Sequence, residues 1–599
     1  SIGFSWLFSF FELVNKLLDI DSLFSCFIWS SWKTLTVKLL ELEKVELIKR
    51  EKRRLAIPDY EYQNPPILTE DQNKVVDEFL ASNDSIYLLK GVTGSGKTEV
   101  YLRLIEENIK QGKGVIFLVP EISLTPMMME YLLRRFKNNV AILHGELTSA
   151  EKYDEYRKVA IGECNIVIGA RSAIFAPIRN LGLIIIDEEH VESYKQENIP
   201  YYHVREVAMM RSKLTNAKVL MGSATPSLET EARAKRGVYH LLTLNKRMNK
   251  RNLPETTIIN LLDPKNVDRE STIFSLPLRK AIRETLLKGE QVILLLNRRG
   301  FSTNIMCRNC GHVFKCENCG VALTYHKTDN LLKCHHCEHV ESFPTICPEC
   351  GGHYFSRMGF GSEKVEDEVK RLFPEAKTLR IDSDTTQARH KLPSLIEKFR
   401  KHEANVLIGT QMIAKGHDFP GVSLVGIVLA DIGLSMPSYR SSERVFQLIT
   451  QAIGRCGRGE IAGHAIIQTY MPNHYAITLA AKQNYTNFFI TEMANRKMQN
   501  YPPFAYLCCI SIRCKSQNNL DINIDYAMDL LKEKFSGKEA KILGPITPYA
   551  AYRTENIEKQ ILVKYKNPTE SREIFKEIME IFKFKSGVQI AINIDPYNF

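Results

Sequence analysis

The stretch IYLLKGVTGSGKTEVYLRLIEENI (residues 86–109) decides how the rest of the chain is read. Its first residues are apolar and β-prone, as a buried strand requires. The centre, GVTGSGKT (91–98), matches G-x-x-x-x-G-K-[ST], and the remainder has the apolar spacing of a helix. Strand, glycine-rich turn and helix start, in that order, are the context in which such a loop holds phosphate. Glycines let backbone N–H groups fold around phosphate oxygens, and the helix N-terminus adds partial positive charge. Gly91, Val92, Thr93, Gly94, Ser95 and Gly96 are therefore expected to cradle ATP. Lys97 would reach the β- and γ-phosphates and Thr98 would hold Mg²⁺.

The same alternation continues on either side. GVIFLV (114–119), VAIL (140–143), NIVIG (165–169), LGLIIID (181–187) and KVLMG (218–222) are short apolar runs separated by amphipathic segments. They predict a parallel α/β sheet. A second series runs through QVILLL (291–296), KTLRI (377–381), NVLIG (405–409), LVGIVLAD (424–431) and HAIIQTY (464–470). A third region has CCISIR (508–513), QILVKY (560–565) and VQIAINI (588–594) between two helical patterns.

Two further features belong with the phosphate loop. Asp187-Glu188-Glu189-His190 ends an apolar strand. A carboxylate there holds Mg²⁺ through water, the role expected of Asp187, while Glu188 would orient and deprotonate the attacking water. QAIGRCGR (451–458) places Arg455 and Arg458 three residues apart, on one helical or turn face. Arginines brought across a cleft stabilise charge on the γ-phosphate in the transition state.

The 599 residues suggest about three to five domains. With 44% hydrophobic and 25% charged residues the chain is not disordered, collagen-like or of low complexity. Its net charge of +11 permits an anionic partner without requiring one. Of 14 cysteines, eight form four C-x-x-C pairs with the spacing C-x2-C-x5-C-x2-C-x14-C-x2-C-x9-C-x2-C. In a long enzyme-like chain this reads as metal ligation in a reducing compartment. Two all-thiolate zinc sites are the simplest solution, with an iron–sulfur cluster as the alternative. Four pairs can combine in three ways. The ribbon-like gap of 14 residues favours Cys316, Cys319, Cys334 and Cys337 in one site. Cys307, Cys310, Cys347 and Cys350 would then form an outer one.

At this point the chain resembles a superfamily 2 helicase. VPEISLT (119–125), LHGELT (143–148), GARSAIF (169–175), GSATPS (222–227), LNRRGF (296–301), GTQMIAKGHDFP (409–420) and QAIGRCGR follow in helicase order. More narrowly it is similar to the replication-restart DNA helicases. DEEH followed by SYKQENIPYYHVRE (193–206), GSEKVEDE (361–368), the cysteine-rich insert, YPPF (501–504) and LGP (543–545) carry that likeness, over about residues 60 to 599. The resemblance implies two RecA-like lobes, with a two-zinc insert in the second lobe and a small α+β C-terminal domain. It implies an ATP-driven 3′→5′ DNA helicase of stalled forks that starts primosome assembly. Other motors of the superfamily, on RNA or duplex DNA, are the alternative, as is a truncated, helicase-defective DNA-binding fragment.

The resemblance also implies residue roles. Ser223 and Thr225 would link hydrolysis to strand movement. The stretch from Tyr194 to Arg205 would couple single-stranded DNA to ATP turnover. There Tyr194, Tyr201, Tyr202 and His203 offer rings for base stacking, worth about 1–3 kcal/mol per base, and Lys195 and Arg205 offer phosphate contacts. Gln72 would contact adenine, an N-cap around Thr69 being its structural alternative, and Gln451 would face ATP. The insert is expected to pack over the cleft and assist strand separation or partner binding. Forked DNA, single-strand-binding protein and helicase-loading proteins are the implied partners of a monomeric, cytoplasmic, nucleoid-associated enzyme.

The expected domains are residues 1–59, 60–255, 256–300 with 352–500, 301–351 and 501–599. In the first, Glu12, Lys16, Asp19 and Asp21 interrupt an apolar run, so no membrane span is expected. A basic helix end, Lys49 to Arg54, follows. The family's 3′-end-binding and winged-helix domains do not fit in about 60 residues, so this part reads as a truncated remnant.

Overall fold

A computed structural model describes residues 54–55, 60–120, 126–248, 254–296, 305–307, 309–326, 329–334, 337–357, 361–382, 391–413, 419–457, 462–548 and 557–597. The chain divides into Ser1–Ala56 and Ile57–Phe599, and the second unit is the subject below. The expectations for residues 1–53, for Arg458 and for most of LNRRGF lie outside the described residues.

In the first lobe, helix α1 (Glu70–Ala81) precedes β1 (Ile86–Gly91), helix α2 (Lys97–Lys110), β2 (Gly114–Leu118), β3 (Val140–Leu143), β4 (Ile166–Gly169) and β5 (Leu181–Asp187). A two-strand hairpin follows, β6 (Lys195–Gln196) and β7 (Tyr202–His203), then helix α3 (Val204–Thr215), β8 (Lys218–Ser223), helix α4 (Leu228–Lys235) and β9 (His240–Leu244). The sheet order is β3-β4-β2-β5-β8-β1-β9, parallel throughout. Every residue of β2 is buried, as expected of a parallel strand covered on both faces. The alternately exposed edge strand β9 lacks such an apolar run, and the sequence pattern does not reveal it.

The second lobe begins at β10 (Glu255–Asn260) and β11 (Gln291–Leu296). The cysteine-rich insert then supplies β12 (Ile305–Cys307), β13 (Thr324–His326), β14 (Leu331–Lys333), β15 (Val340–Ser342) and β16 (Phe355–Arg357). Antiparallel pairing of β12 with β16 closes the insert like a clasp. The lobe resumes with β17 (Thr378–Ile381), β18 (Val406–Gly409), β19 (Val422–Leu429), helix α5 (Ser441–Ile453), β20 (His464–Thr469) and helix α6 (Tyr485–Met498). Its sheet, β10-β20-β19-β11-β18-β17, is also parallel. Asp431 opens a helical turn instead of ending a strand. Finally β21 (Tyr506–Cys514), helix α7 (Gln517–Lys534), β22 (Ala540–Ile546), β23 (Ile557–Tyr565), helix α8 (Pro568–Lys583) and β24 (Val588–Ile594) build an antiparallel sheet of order β22-β23-β21-β24. Among the described residues no helix is long and apolar enough to cross a membrane.

The two lobes meet through α4. Leu228 and Ala232 leave the first lobe's own core and join the hydrophobic cluster of the second. Beside them, Glu229 Oε1 accepts from Arg440 Nη2 at 2.6 Å and from Arg496 Nη1 at 3.0 Å. The same arginines reach Glu443 Oε2 at 3.1 and 2.7 Å. All four side chains are buried. Burying Leu228 contributes about 1.5–3 kcal/mol, whereas removing one partner of a buried ion cluster costs about 3–5 kcal/mol, because a charge is left without its partner. The ionic cluster is therefore the more sensitive part of the contact.

Arg440 and Arg496 hold the Glu229 carboxyl well below its ordinary value of 4.5. Its stabilisation is thus complete above that value and is lost as pH falls through the lowered one. Glu229→Ala is expected to lower the stability of the lobe contact by about 3–5 kcal/mol at neutral pH, and to weaken the loss of stability in acid. Urea unfolding monitored across pH 2–7 checks both, and an unchanged midpoint would refute the cluster's structural role.

Candidate functional site

The phosphate loop leaves β1 at Gly91 and enters α2 at Lys97. Gly94 and Gly96 both have φ of +79°, a region that glycine enters without steric cost. A Cβ on Gly96 would lie 2.3 Å from Gln72 Nε2 and 2.6 Å from Met248 Sδ. Lys97 Nζ donates to the Gly91 carbonyl at 2.9 Å. Ser95 Oγ is buried with no partner among the described residues.

Gln72 sits in the cap of the helix that precedes the loop. Its Oε1 accepts from Thr69 N–H at 2.9 Å, closing a capping box at the start of α1. Its Nε2 donates to the carbonyls of Ser95 and Gly96 at 3.3 and 3.2 Å. Both ends of the amide are engaged and the side chain is buried, so Gln72 braces the phosphate loop.

Asp187, at the end of β5, accepts from the Tyr101 hydroxyl at 3.0 Å. That hydroxyl passes over Gly222, where a Cβ would lie 1.7 Å from it, so β8 must carry glycine there. Burial, with the Glu188 carboxylate alongside, pushes the Asp187 carboxyl well above its ordinary range. Glu188 follows with φ of +47°, rare outside glycine and a frequent mark of functional turns.

His190 ties this end of the first lobe to the second. Its Nδ1 is 2.7 Å from Ser223 Oγ, and its Nε2 is 2.7 Å from Gln451 Nε2 on α5. Ser223 Oγ also accepts from Thr225 N–H, and the Thr225 carbonyl accepts from Gln447 Nε2. At the end of α5, Gly454 packs against Thr93 so closely that a Cβ would lie 2.8 Å from Thr93 Oγ1. Arg455 follows in the next turn, buried.

The aromatic-rich stretch is arranged differently from what its composition suggests. Tyr194 is 1% exposed, and its hydroxyl donates to the Asp187 carbonyl at 2.8 Å. Lys195 Nζ donates to the Ile594 carbonyl at 2.6 Å, and His203 Nε2 lies 3.0 Å from the Tyr597 hydroxyl. Arg205 Nη1 donates to Ser227 Oγ and Thr230 Oγ1 at 3.3 and 3.1 Å. All four side chains are held by hydrogen bonds, and Tyr194 offers no ring face. Tyr201 and Tyr202 are half-buried in the wall of a cavity of about 730 Å³, which Lys195, His203, Arg205, Phe175, Arg233 and Tyr506 also line. The cavity lies where the first lobe meets the C-terminal sheet.

The cysteines form the nested sets, Cys307, Cys310, Cys347 and Cys350, and Cys316, Cys319, Cys334 and Cys337. Sulfur pairs Cys307–Cys350, Cys310–Cys347 and Cys316–Cys337 stand 3.6, 3.7 and 3.5 Å apart. A tetrahedron with metal–sulfur bonds of about 2.3 Å has an edge of about 3.8 Å, so the thiolates are spaced to share one ion per set.

Comparisons with known proteins agree with this geometry. DEAD/DEAH box helicase matches residues 69–234, the PriA DNA helicase Cys-rich region 316–341, the helicase conserved C-terminal domain 355–460, and the primosomal protein N C-terminal domain 497–597. The replication restart protein PriA of Bacillus subtilis (strain 168) is 43% identical over 573 residues, covering 94% of this chain and 71% of that protein. That of Synechocystis sp. is 41% identical over 568 residues, covering 92% and 67%. The chain belongs to the PriA family of replication restart proteins. A solved structure of RecG bound to a three-way DNA junction shares 17% identity at a TM-score of 0.42, over 72% of this chain and 47% of that one.

Like its family, the chain is a helicase and an ATPase with two RecA-like lobes, and it uses ATP, Mg²⁺ and two zinc ions. Closed all-thiolate zinc sites are structural. The insert is seated by contacts outside its own metal sites. Tyr501 donates to the Cys319 carbonyl at 3.2 Å, Thr547 N–H donates to Glu338, and Gly311 lies against the Tyr470 carbonyl. It therefore rests on the C-terminal domain and the end of β20. No local pattern marks Glu229, Arg440 and Arg496, or Tyr597, because the contacts that join them to one another run between residues far apart along the chain. The His190 bridge was visible only as the last letter of DEEH.

Metal analysis of the purified chain is expected to return two zinc ions. Cys334→Ser should return one and lower the melting temperature of the C-terminal half, which the insert supports. Retention of both ions in that variant would refute the inner set.

Proposed function

We propose that this chain is an ATP-dependent 3′→5′ DNA helicase that acts at stalled or repaired replication forks and initiates primosome assembly and replication restart. The observation that carries the proposal is the buried chain Gln451–His190–Ser223, which joins the second lobe to the nucleotide end of the first. A change at the phosphates is thereby transmitted to the contact between lobes.

In this reading Gly91 to Gly96 cradle the phosphates. The amine of Lys97 leaves the Gly91 carbonyl for the β- and γ-phosphates, and Ser95 Oγ gains a partner. Thr98 and Asp187 would hold Mg²⁺, which supplies charge neutralisation at the phosphates. Binding such a cation would relieve the strain that burial places on an ionised Asp187. Glu188 orients the attacking water and takes its proton. Arg455, with Arg458, stabilises γ-phosphate charge, and Gln451 lies beside the nucleotide.

Single-stranded DNA would enter the cavity lined by Tyr201 and Tyr202, with Arg205 and Arg233 near its phosphates. Ser223 and Thr225 would pass the nucleotide state to that strand. Tyr194 would act by fixing the loop, while Lys195 and His203, in the wall of the same cavity, would add a phosphate contact and a ring face. Forked DNA, single-strand-binding protein and primosome or helicase-loading proteins are the proposed partners of a monomer working in the cytoplasm at the nucleoid. The proposed domain limits are those expected from the sequence, with the insert extended to Arg357 by the β12–β16 pair.

ATP hydrolysis by the purified chain, with single-stranded DNA, forked DNA, duplex DNA and RNA compared side by side, tests the reading. Single-stranded and forked DNA are expected to stimulate turnover most. Lys97→Ala should remove at least about a hundredfold of it, the scale of losing a charge-stabilising group, with oligonucleotide binding retained. Stimulation by RNA or duplex DNA alone would overturn the substrate assignment, and undiminished turnover in Lys97→Ala would overturn the role of Lys97.

A further inference from the structure

Between the residues assigned to Mg²⁺ and water and the bridging His190 stands Glu189, a carboxylate without a role so far. It is 3% exposed, so its charge is desolvated and must be met by donors. Its Oε1 accepts from Ser227 N–H at 2.6 Å, and its Oε2 accepts from the hydroxyls of Ser227 and Thr230 at 3.1 and 3.0 Å. Its own N–H donates to the Gly222 carbonyl at 3.1 Å, at the end of β8. The Arg205 guanidinium stands 4.0 Å from Oε2 and donates to the same two hydroxyls. Guanidinium, hydroxyls and carboxylate therefore form a polarised sequence, each hydroxyl accepting from the arginine and donating to the glutamate.

The two ends of this sequence face different parts of the protein. Arg205 lines the cavity that holds Tyr201 and Tyr202, and its other face meets the exposed Glu206 at 3.3 Å. Ser227 is the N-cap of α4, yet its hydroxyl makes no cap bond within the helix. The next N–H, of Leu228, donates to Glu443 Oε1 of the second lobe at 3.0 Å. One carboxylate from each lobe thus holds an adjacent N–H at the positive end of α4, where anions are favoured.

We propose that Glu189 is the positioning residue that couples occupancy of the aromatic cavity to the nucleotide site and to the second lobe. The proposal rests on the reading that single-stranded DNA enters that cavity. A phosphate there competes for Arg205 and draws its charge away from Glu189. The hydroxyls of Ser227 and Thr230 then lose their donor, and the start of α4 shifts against Glu443 and the Glu229 cluster. Glu189→Gln keeps the size of the side chain. It replaces one acceptor oxygen by a donor that faces donors, so the polarity of the sequence is lost.

The test is steady-state ATP hydrolysis by the full chain with and without saturating oligothymidine, together with oligothymidine binding by fluorescence anisotropy. In Glu189→Gln the ratio of stimulated to unstimulated turnover is expected to fall about tenfold, within the range of coupling between distinct sites. The unstimulated rate and the affinity for oligothymidine should stay within about twofold. An unchanged ratio overturns the proposal, and so does an equal fall in both rates, which would mean that Glu189 merely supports the nucleotide site. Thr230→Val, which keeps the charge and removes one hydroxyl, should lower the ratio about threefold. If Glu189→Gln does not fold, an unchanged ratio in Thr230→Val overturns the proposal by itself. Absence of stimulation in the unsubstituted chain would instead overturn the single-strand reading of the cavity, and the coupling with it.

Discussion

The arrangement of the lobes depends on one buried carboxylate, Glu229, held between the guanidinium groups of Arg440 and Arg496. Its own lobe supplies α4, and the arginines come from the other. Paired and hydrogen-bonded, these charges are tolerated away from water, and loss of any one exposes the others to the full cost of burial. The Arg440 guanidinium also lies 4.3 Å above the Tyr597 ring, so the last described residue of the chain joins the same cluster. Three parts of the protein are thereby registered at a single point, close to the residues that link β8 to the second lobe.

The nucleotide end of the first lobe gathers at the C-terminal ends of neighbouring parallel strands, where the order β5-β8-β1 brings Asp187, Ser223 and the phosphate loop together. Open α/β sheets place their ligands at such edges because the loops there converge. The geometry is tightened by what is missing as much as by what is present. Gly222 leaves space for the Tyr101 hydroxyl on Asp187, and Gly454 lets the second lobe close on Thr93. The insert follows a different logic. Its apolar core is small, and its two sets of four thiolates offer metal bonds where hydrophobic burial alone is too limited.

The parallel sheets were legible from the sequence wherever strands are buried on both faces. LGLIIID, VAIL and QVILLL coincide with observed strands to the residue. β9, β10 and β22 were not legible, because edge strands with exposed positions lose the continuous apolar run. The phosphate loop, DEEH and the cysteine pairs could be read because each function sits in a few adjacent residues with a fixed spacing. Gln72 shows the limit of local spacing, since the same side chain suits an adenine contact and a helix cap, and only packing reveals that it caps α1 and braces the loop.

By itself the sequence determined the local chemistry, namely which loop can wrap phosphate, which strand end carries carboxylates and which thiolates can share an ion. These depend on backbone conformation and spacing over a few residues. Only the tertiary structure decided the direction in which the aromatic stretch turns, the partners of Glu189 and Glu229, and the seat of the insert on the C-terminal domain. Those contacts join residues far apart along the chain, Lys195 to Ile594 and Glu229 to Arg496 among them. Their energies come from desolvation and pairing in a shared interior, which no local pattern of residues encodes.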